Sequence, residues 1–157
     1  MKKVIFDTDI GDDIDDAFAL AALAAEPQAE LLGVTTVYRN TAQRARLAQK
    51  LLEAAGRAEV PVFAGEGIPI KQPIGLFAWE EGPSPEQKPV CQWSEEYAAF
   101  PVRTDAVGFL AESAKRWGED LILFAVGPLT NLARAIERFP DDMKRIGAVY
   151  TMGGRFM

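Results

Sequence analysis

The sequence alternates short runs of apolar, mostly β-branched residues with longer segments in which apolar residues recur every three or four positions. The short runs predict buried strands and the longer segments predict amphipathic helices. The predicted strands cover residues 4–6, 31–37, 60–64, 121–126 and 146–152. Because strands that alternate with helices form βαβ units, the chain is predicted to be an α/β protein with a mostly parallel, Rossmann-like sheet and helices on both faces.

The helices between these strands are predicted from apolar spacing and from residues that stop or start a helix. They cover residues 17–24, 41–55 and 106–117, and a fourth follows residue 127. This last helix is expected to have Pro128 at its first position. Its predicted apolar face consists of Leu129, Leu132, Ala133 and Ile136. In an open parallel sheet of this kind, ligands bind at the carboxyl ends of the strands.

Residues 1–157 are predicted to form a single α/β domain that one irregular segment interrupts. Residues 66–101 hold six prolines and two of the three tryptophans, which predicts a long loop or insertion. Long ordered loops often carry function. Trp79, Trp93 and Tyr97 are therefore candidates for a lid over a ligand, and local packing is the alternative.

Composition excludes several classes of function. The net charge of −6 argues against a nucleic-acid-binding protein, which needs a basic face for phosphates. No run of 18 apolar residues predicts a membrane span, and the first residues lack the apolar stretch of a signal peptide. A single cysteine, Cys91, fits a reducing compartment, so we expect a cytoplasmic protein. The absence of histidine excludes Ser-His-Asp chemistry and His-ligated zinc within this chain.

Six aspartates crowd the ten residues between the first predicted strand and the first predicted helix. They are Asp7, Asp9, Asp12, Asp13, Asp15 and Asp16. Two like charges at about 4 Å repel by about 1 kcal/mol in water and about 4 kcal/mol at an effective dielectric near 20. Capping a helix uses only one or two acids. The cluster therefore predicts a divalent-cation site, and oxygen ligands favour Ca²⁺ or Mg²⁺.

Four motifs in order along the chain carry a family resemblance. Asp7-Thr8-Asp9-Ile10-Gly11 followed by Asp15-Asp16-Ala17-Phe18-Ala19-Leu20 resembles the N-terminal signature of the inosine–uridine-preferring nucleoside hydrolases. Ile10 replaces the usual proline, and two extra residues precede the aspartate pair. The segments 34–40, 125–131 and 150–154 resemble later family motifs, each at the end of a predicted strand. The resemblance covers the chain apart from residues 66–101.

The resemblance implies a Ca²⁺-dependent hydrolase that cleaves nucleosides to free base and ribose. Asp9 and Asp16 would bind the ion together with the main-chain carbonyl of Val126. Asp9 would also act as the general base toward the attacking water. Because of the two extra residues, Asp12 or Asp13 remains an alternative for one of these positions.

The same resemblance assigns the ribose-binding residues. Asp15 would hold a ribose hydroxyl, while Asn40 and Met152 would line the ribose pocket. Asp7 would support the cluster by hydrogen bonding. Base rates offer simpler interpretations for two of them, since an Asn before a helix is often its cap and a Met is more often buried in the core.

Members of the resembled family are about twice as long as this chain, so the resemblance is to the N-terminal half only. We therefore expect an apparently truncated fold that supplies part of a site. An exposed apolar surface is expected where the chain stops after its last strand. Such a surface would favour a homo-oligomer or pairing with the missing C-terminal half.

Two other interpretations compete with the hydrolase. The chain could be a non-catalytic module that binds metal or ribose, or serves assembly, with the same fold. The segment from Val4 to Asp9 also resembles the haloacid-dehalogenase phosphatases, in which Asp7 would be the nucleophile and Asp9 the acid/base above Mg²⁺. That family has Thr or Val where Gly11 stands here.

Overall fold

The computed structural model describes residues 1–71 and 89–153. Within them, five strands form one sheet in the order β3-β2-β1-β4-β5, and every neighbouring pair is parallel. The strands are β1 (Lys2–Thr8), β2 (Ala29–Thr36), β3 (Val62–Ala64), β4 (Leu121–Ala125) and β5 (Ala148–Thr151). The prediction of a parallel, Rossmann-like α/β sheet is confirmed.

Helices connect the strands, and four of the five α-helices in these two ranges were predicted from apolar spacing, whereas the short fifth helix was not predicted. They are α1 (Asp15–Ala25), α2 (Thr41–Ala54), α3 (Ala106–Trp117), α4 (Thr130–Arg138) and α5 (Pro140–Met143). Short 3₁₀ turns cover Glu95–Ala99 and Gly118–Asp120. Caps fix two of the starts: Asn40 accepts a hydrogen bond from the Gln43 amide, and Asp105 accepts one from the Gly108 amide. None of the helices in the described ranges is long and apolar enough to cross a membrane.

Alternate residues of the central strand serve two separate cores. Val4 and Phe6 of β1 pack in one cluster with Leu20 of α1 and Leu52 of α2. Ile5, between them, packs in the other cluster with residues of α3, α4 and α5. Helices therefore cover both faces of the sheet, and the central strand is buried from both sides.

The sheet reverses its direction of growth at β1, and this point positions the site. The chain first adds β2 and β3 on one side of β1, and then adds β4 and β5 on the other. Asp7 in β1 lies beside Thr35 of β2 and Ala125 of β4. The aspartate cluster thus follows β1 at the crevice between diverging halves of the sheet, where ligands bind in open α/β folds.

Helix α4 differs from the prediction in both its start and its buried face. It begins at Thr130, two residues after Pro128, so the proline lies outside the helix. Leu129 and Ile136 of the predicted apolar face are 42% and 50% exposed, whereas Asn131 is fully buried. The reason is a polar anchor, because the Asn131 amide reaches the buried Asp7 carboxyl and turns that face of the helix inward.

The irregular segment is described only in part, and Trp79 lies outside the described residues. Trp93 packs edge-on against Tyr97 at 6.0 Å between ring centroids and donates its indole N–H to Glu95. Backbone hydrogen bonds join the returning chain to the aspartate loop, since the Gln92 amide donates to the Gly11 carbonyl at 2.8 Å. The segment therefore ends against the loop that follows β1.

Apolar side chains are exposed along β5 and the neighbouring α4. Val149, Tyr150 and Met152 are among the large exposed hydrophobic residues, together with Ile136 and Phe139. Within the described ranges β5 pairs with β4 alone, so its other edge is open. An open edge with apolar side chains is a surface for association with another segment or chain.

The difference in burial between a residue of β4 and a residue of α4 can be tested by substitution. Leu123 in β4 is fully buried, so Leu123→Ala should lower the free energy of unfolding by about 2–5 kcal/mol. Ile136→Ala, at a half-exposed position on α4, should change it by less than about 1 kcal/mol. Urea unfolding followed by circular dichroism measures both, and equal losses would contradict the packing described here.

Candidate active site

A cleft of about 620 Å³ lies at the carboxyl ends of β1 and β4. Carboxylates from the loop after β1 form one wall, and the chain that follows β4 and β5 forms the other. The lining residues are Asp9, Asp12, Asp13, Asp15, Asp16, Val126, Gly127, Pro128, Leu129, Met152 and Gly153. The fold therefore brings together the two ends of the chain that the sequence assigned to one site.

Asp7 lies beneath this cleft and joins three elements of the fold. Its Oδ1 accepts hydrogen bonds from the Thr35 hydroxyl at 2.5 Å and from the Asn131 amide at 2.7 Å. The same amide group donates to the Thr36 carbonyl, and the Asn131 oxygen accepts from the Glu66 amide. β1, β2 and α4 are thus held together by one buried polar network.

Burial raises the pKa of Asp7 to about 7, although the hydrogen bonds from Thr35 and Asn131 work against the rise. Its second oxygen, Oδ2, is buried and has no hydrogen-bond partner among the described residues. A buried carboxylate without compensation for its charge is costly, so the neutral form is favoured. Asp7 is therefore built into the fold as a carboxyl that ionises only near neutral pH.

The Asp9 carboxylate is influenced directly by its neighbour Asp16. Burial, followed by the negative charge of Asp16, raises the pKa of Asp9 to about 6, while Arg44 opposes the rise. Asp16 is buried and accepts a hydrogen bond from the Thr8 hydroxyl at 2.5 Å. Thr8 in turn accepts from the Ile10 amide at 3.0 Å, so the strand end orients Asp16.

The end of β4 approaches these carboxylates closely because residue 127 is a glycine. A Cβ at Gly127 would lie 2.9 Å from Asp9 Oδ1 and 2.8 Å from Val37 Cγ1. It would also lie 2.9 Å from the Asp9 backbone nitrogen, so a side chain at this position would require movement of the main chain. Glycine at this position therefore lets the main chain at Val126 and Gly127 line the same cleft as the Asp9 carboxylate.

Asp12 accepts hydrogen bonds from a charged side chain and a backbone amide, whereas Asp15 accepts from a backbone amide alone among these bonds. Asp12 Oδ2 accepts from Arg44 at 2.7 Å, and its Oδ1 accepts from the Cys91 amide at 3.2 Å. Partial burial opposes ionisation of Asp12, but these contacts outweigh it and hold its pKa below the ordinary value. Asp15 Oδ1 accepts from the Asp16 amide at the start of α1, and its carboxylate lines the cleft.

Comparison with known proteins gives this cleft a family. The sequence profile of the inosine-uridine preferring nucleoside hydrolases matches residues 4–157. This chain belongs to that nucleoside hydrolase family. The family membership predicted from the four motifs is therefore confirmed. The match is to the nucleoside hydrolases and not to the haloacid-dehalogenase phosphatases that were the alternative.

Individual relatives agree with the family match. The chain is 34% identical to a probable uridine nucleosidase 2 of Arabidopsis thaliana over 99% of its length, and 35% identical to uridine nucleosidase 1 of the same plant. It superimposes on a solved plant nucleoside hydrolase with a TM-score of 0.75 at 30% identity, over 98% of its length. The chain spans 46–48% of these three relatives, which is about half of their length.

Nucleoside hydrolases of this family are generally metal-dependent, and the donors in the cleft fit a hard cation in part. Asp9, Asp16 and the main chain at Val126 offer only oxygen, which suits Ca²⁺ or Mg²⁺. The charge of Asp16 raises the pKa of Asp9, which marks negative charge that a cation would neutralise. In the described ranges no three acidic, Cys or His side chains converge as a ready metal site, so these donors form an incomplete shell.

The structure separates the two ribose-pocket residues predicted from the resemblance. Met152 lines the cleft and is 60% exposed. Asn40 caps α2, where its side chain accepts from the Gln43 amide at 3.1 Å. It is not among the described residues that line the cleft. Asn40 therefore has a structural role in this arrangement, and its contact with ribose stays a prediction.

Sequence reasoning missed two residues that organise the site. Asn131 stands inside a recognised motif but was given no role, and Arg44 was not singled out. Arg44 had a signal of its own, because it lies four residues before Ala48 and eight before Leu52 on the buried face of α2. A charge at a core position of a helix indicates a buried ion pair or hydrogen-bond network.

The raised pKa of Asp7 predicts how stability depends on pH in the absence of divalent ions. Between about pH 4 and pH 7, the unfolded chain releases the Asp7 proton while the folded chain keeps it. The free energy of unfolding should therefore be greatest at the acidic end of this window and should fall as the pH rises, by up to about 4 kcal/mol from Asp7. Urea titrations in a chelating buffer measure the trend.

Asp7→Asn is the matched variant, since asparagine keeps an oxygen for Thr35 and Asn131 but does not ionise. Its stability relative to the unmodified chain should improve steadily from pH 4 to pH 7. Asp141→Asn is the control because that side chain is 95% exposed on α5. Parallel pH curves for the Asp7→Asn variant and the unmodified chain would show that burial does not raise the pKa of Asp7.

Proposed function

We propose that this chain supplies the ribose-binding and cation-binding part of an enzyme that hydrolyses the N-ribosidic bond of nucleosides. The proposal rests on one observation: Asp9, Asp15, Asp16 and the main chain at Val126 line a single cleft at the switch point of the sheet. Membership of the nucleoside hydrolase family supports this reaction class. The substrate is a nucleoside, and its products are free base and ribose.

The proposed cation is Ca²⁺, held by the carboxylates of Asp9 and Asp16 and the carbonyl of Val126. Calcium accepts six to eight oxygen ligands, so these three donors leave room for water and for sugar hydroxyls. When bound, the ion would orient the hydroxyls of the ribose and make a nearby water more acidic. The raised pKa of Asp9 supports this assignment, because burial and the charge of Asp16 oppose its ionisation and a bound cation would offset that opposition.

The proposed catalytic residue is Asp9, acting as general base toward the attacking water. A base works best when its pKa lies near the working pH, and the pKa of Asp9 is raised to about 6 by burial and by Asp16. Departure of the nucleobase leaves positive, oxocarbenium-like charge on the sugar, as in glycoside hydrolysis. The carboxylates lining the cleft stabilise that charge, and Asp15 is proposed to hold a ribose hydroxyl.

A complete site requires more than this chain, and we propose that association supplies it. The chain spans about half of its relatives, and Met152 of the exposed apolar group also lines the cleft. We propose that a second copy or the remaining half of the family fold covers this surface. A cytoplasmic location stays a prediction from the single cysteine.

The decisive experiment pairs calorimetry with a turnover assay on the 157-residue chain. Titrations with Ca²⁺, and then with ribose in the presence of Ca²⁺, measure binding. Chromatography of uridine and inosine incubated with the chain measures release of free base. Binding of both ligands by the chain is the expected result, and free nucleobase should be released once the chain has associated with the surface that completes the site. Failure to bind Ca²⁺, or failure to release nucleobase in that associated state, would refute the hydrolase proposal.

Asp9→Asn tests the residue assignment directly. This change removes the charge of a proposed Ca²⁺ ligand and also removes the general base, so the affinity for Ca²⁺ should fall at least about tenfold. The rate at which free nucleobase is released should fall by about 10²-fold or more. Asp141→Asn, far out on α5, should leave both values within about twofold. Full activity in the Asp9→Asn variant would contradict the assigned role.

The same assays discriminate the two alternatives. Binding of Ca²⁺ and ribose without release of base is the result expected for a non-catalytic module of this fold. Release of phosphate from a phosphomonoester in the presence of Mg²⁺, with no base released from nucleosides, is the result expected for a phosphatase. In that case Asp7→Asn would abolish turnover because it removes the nucleophile.

A further inference from the structure

Arg44 is the largest fully buried side chain in the described part of the molecule. It stands on α2, between the sheet and the loop that carries the aspartates. Burying a guanidinium is costly unless every donor finds a partner, because the group loses its hydration and cannot lose its charge. A buried arginine of this kind is therefore expected to hold a specific arrangement of acceptors.

The partners of Arg44 are concentrated on the loop after β1. Its terminal nitrogens donate to the carbonyls of Asp9 and Ile10, the latter at 2.8 Å, and to the carboxylate of Asp12 at 2.7 Å. Its Nε donates to the Tyr38 carbonyl at 2.8 Å. One planar group thus ties the loop after β1 to the loop after β2, and it holds the main chain of Asp9 itself.

We propose that Arg44 is a positioning residue that fixes the main chain at Asp9 and Ile10, so that the Asp9 carboxylate faces the cleft, and that Asp12 serves as its anchor rather than as a cation ligand. This inference rests on the proposed function for the role of Asp9. It also selects between the alternatives that the two extra residues of the loop left open. Asp9 and Asp16 remain the cation-binding pair.

Both oxygens of Asp12 are committed in a way that supports this assignment. Oδ2 pairs with the buried guanidinium, and Oδ1 accepts from the Cys91 amide of the returning segment. The neighbouring Gln92 binds the same loop twice, through its amide to the Gly11 carbonyl and through its side chain to the Asp13 carbonyl. A cation at Asp12 would compete with the buried guanidinium for the charge of the same carboxylate.

The contacts suggest variants with a matched control on the same helix. Arg44→Met removes every donor at similar length, and Arg44→Lys keeps the charge but replaces the fork by one ammonium that cannot span four acceptors. Arg46→Met is the control, because Arg46 also lies on α2 but donates its Nε to the carbonyl of Phe100, at 3.0 Å. Phe100 lies outside the aspartate loop. Asp12→Asn tests the anchor.

Calorimetric titration with Ca²⁺ alone is the first readout, made beside the melting temperature of each variant. Removal of a group that orients a metal ligand commonly weakens metal affinity by about 10- to 100-fold, and this is expected for Arg44→Met and Arg44→Lys. Arg46→Met should stay within about twofold even where its melting temperature falls equally. Asp12→Asn should lose about threefold or less, whereas Asp9→Asn loses at least about tenfold.

Amide hydrogen exchange is the second readout and needs no metal. The Ile10 amide donates to Thr8 and the Gln92 amide donates to Gly11, so both report the position of the loop. In Arg44→Lys their exchange should accelerate about tenfold or more, while the amides of β4 keep their rates. This readout judges the positioning role even if the unmodified chain binds no Ca²⁺, a result that would refute only the proposed function.

Two results would overturn the inference. Unchanged exchange at Ile10 and Gln92 in Arg44→Lys would show that the guanidinium does not hold the loop. Loss of Ca²⁺ affinity in Asp12→Asn as large as that in Asp9→Asn would show that Asp12 is a ligand. If Arg44→Met does not fold, Arg44→Lys decides the question by the same two measurements.

Discussion

The structure depends on how six carboxylates are kept within ten residues at the end of one central strand. Like charges at such spacing repel, and burial strengthens the repulsion. The chain accommodates these acids in different ways. Burial raises the pKa of Asp7 to about 7, Asp12 is paired with Arg44, and Asp16 accepts from the Thr8 hydroxyl. Burial and the charge of Asp16 oppose the ionisation of Asp9, and a bound cation would offset that opposition.

The hydrogen bonds of Asp7 below the cleft also hold the two sides of the sheet together. Asp7 accepts from Thr35 of β2 and from Asn131 of α4, so β2 on one side of β1 is connected to the helix that follows β4 on the other side. Gly65 permits this arrangement, because a Cβ there would overlap the Asn131 amide. The crevice at the switch point is consequently a rigid product of the fold, and its floor is set before any ligand arrives.

The sheet and most helix ends could be predicted from the sequence, because apolar spacing reports directly which faces are buried. The face of α4 could not, since the prediction treated apolar residues as the only cause of burial. Asn131 is buried by its bonds to Asp7, and Leu129 and Ile136 are left exposed as a result. Arg44 was missed for a related reason, because its partners are carbonyls that no sequence pattern displays.

The site itself was predicted through the family resemblance, and the composition of the loop indicated only a cation. Composition finds six carboxylates, but it does not tell which of them already have partners inside the protein. The hydrogen bonds supply that information, since Asp12 pairs with the Arg44 guanidinium and accepts from the Cys91 amide, whereas Asp15 accepts only from the neighbouring Asp16 amide among the side-chain hydrogen bonds of the described loop residues. Which acids already have partners within the protein is thus a property of tertiary contacts.

The polar cleft reaches the end of β5, where apolar side chains are exposed, and this relates association to chemistry. Met152 lines the cleft and belongs to the same exposed group as Val149 and Tyr150 of β5. A segment that covers this edge therefore also borders the space beside Asp9 and Asp16. Covering the edge would remove water from the carboxylates, and electrostatic interactions with a bound cation or sugar would strengthen in the drier site.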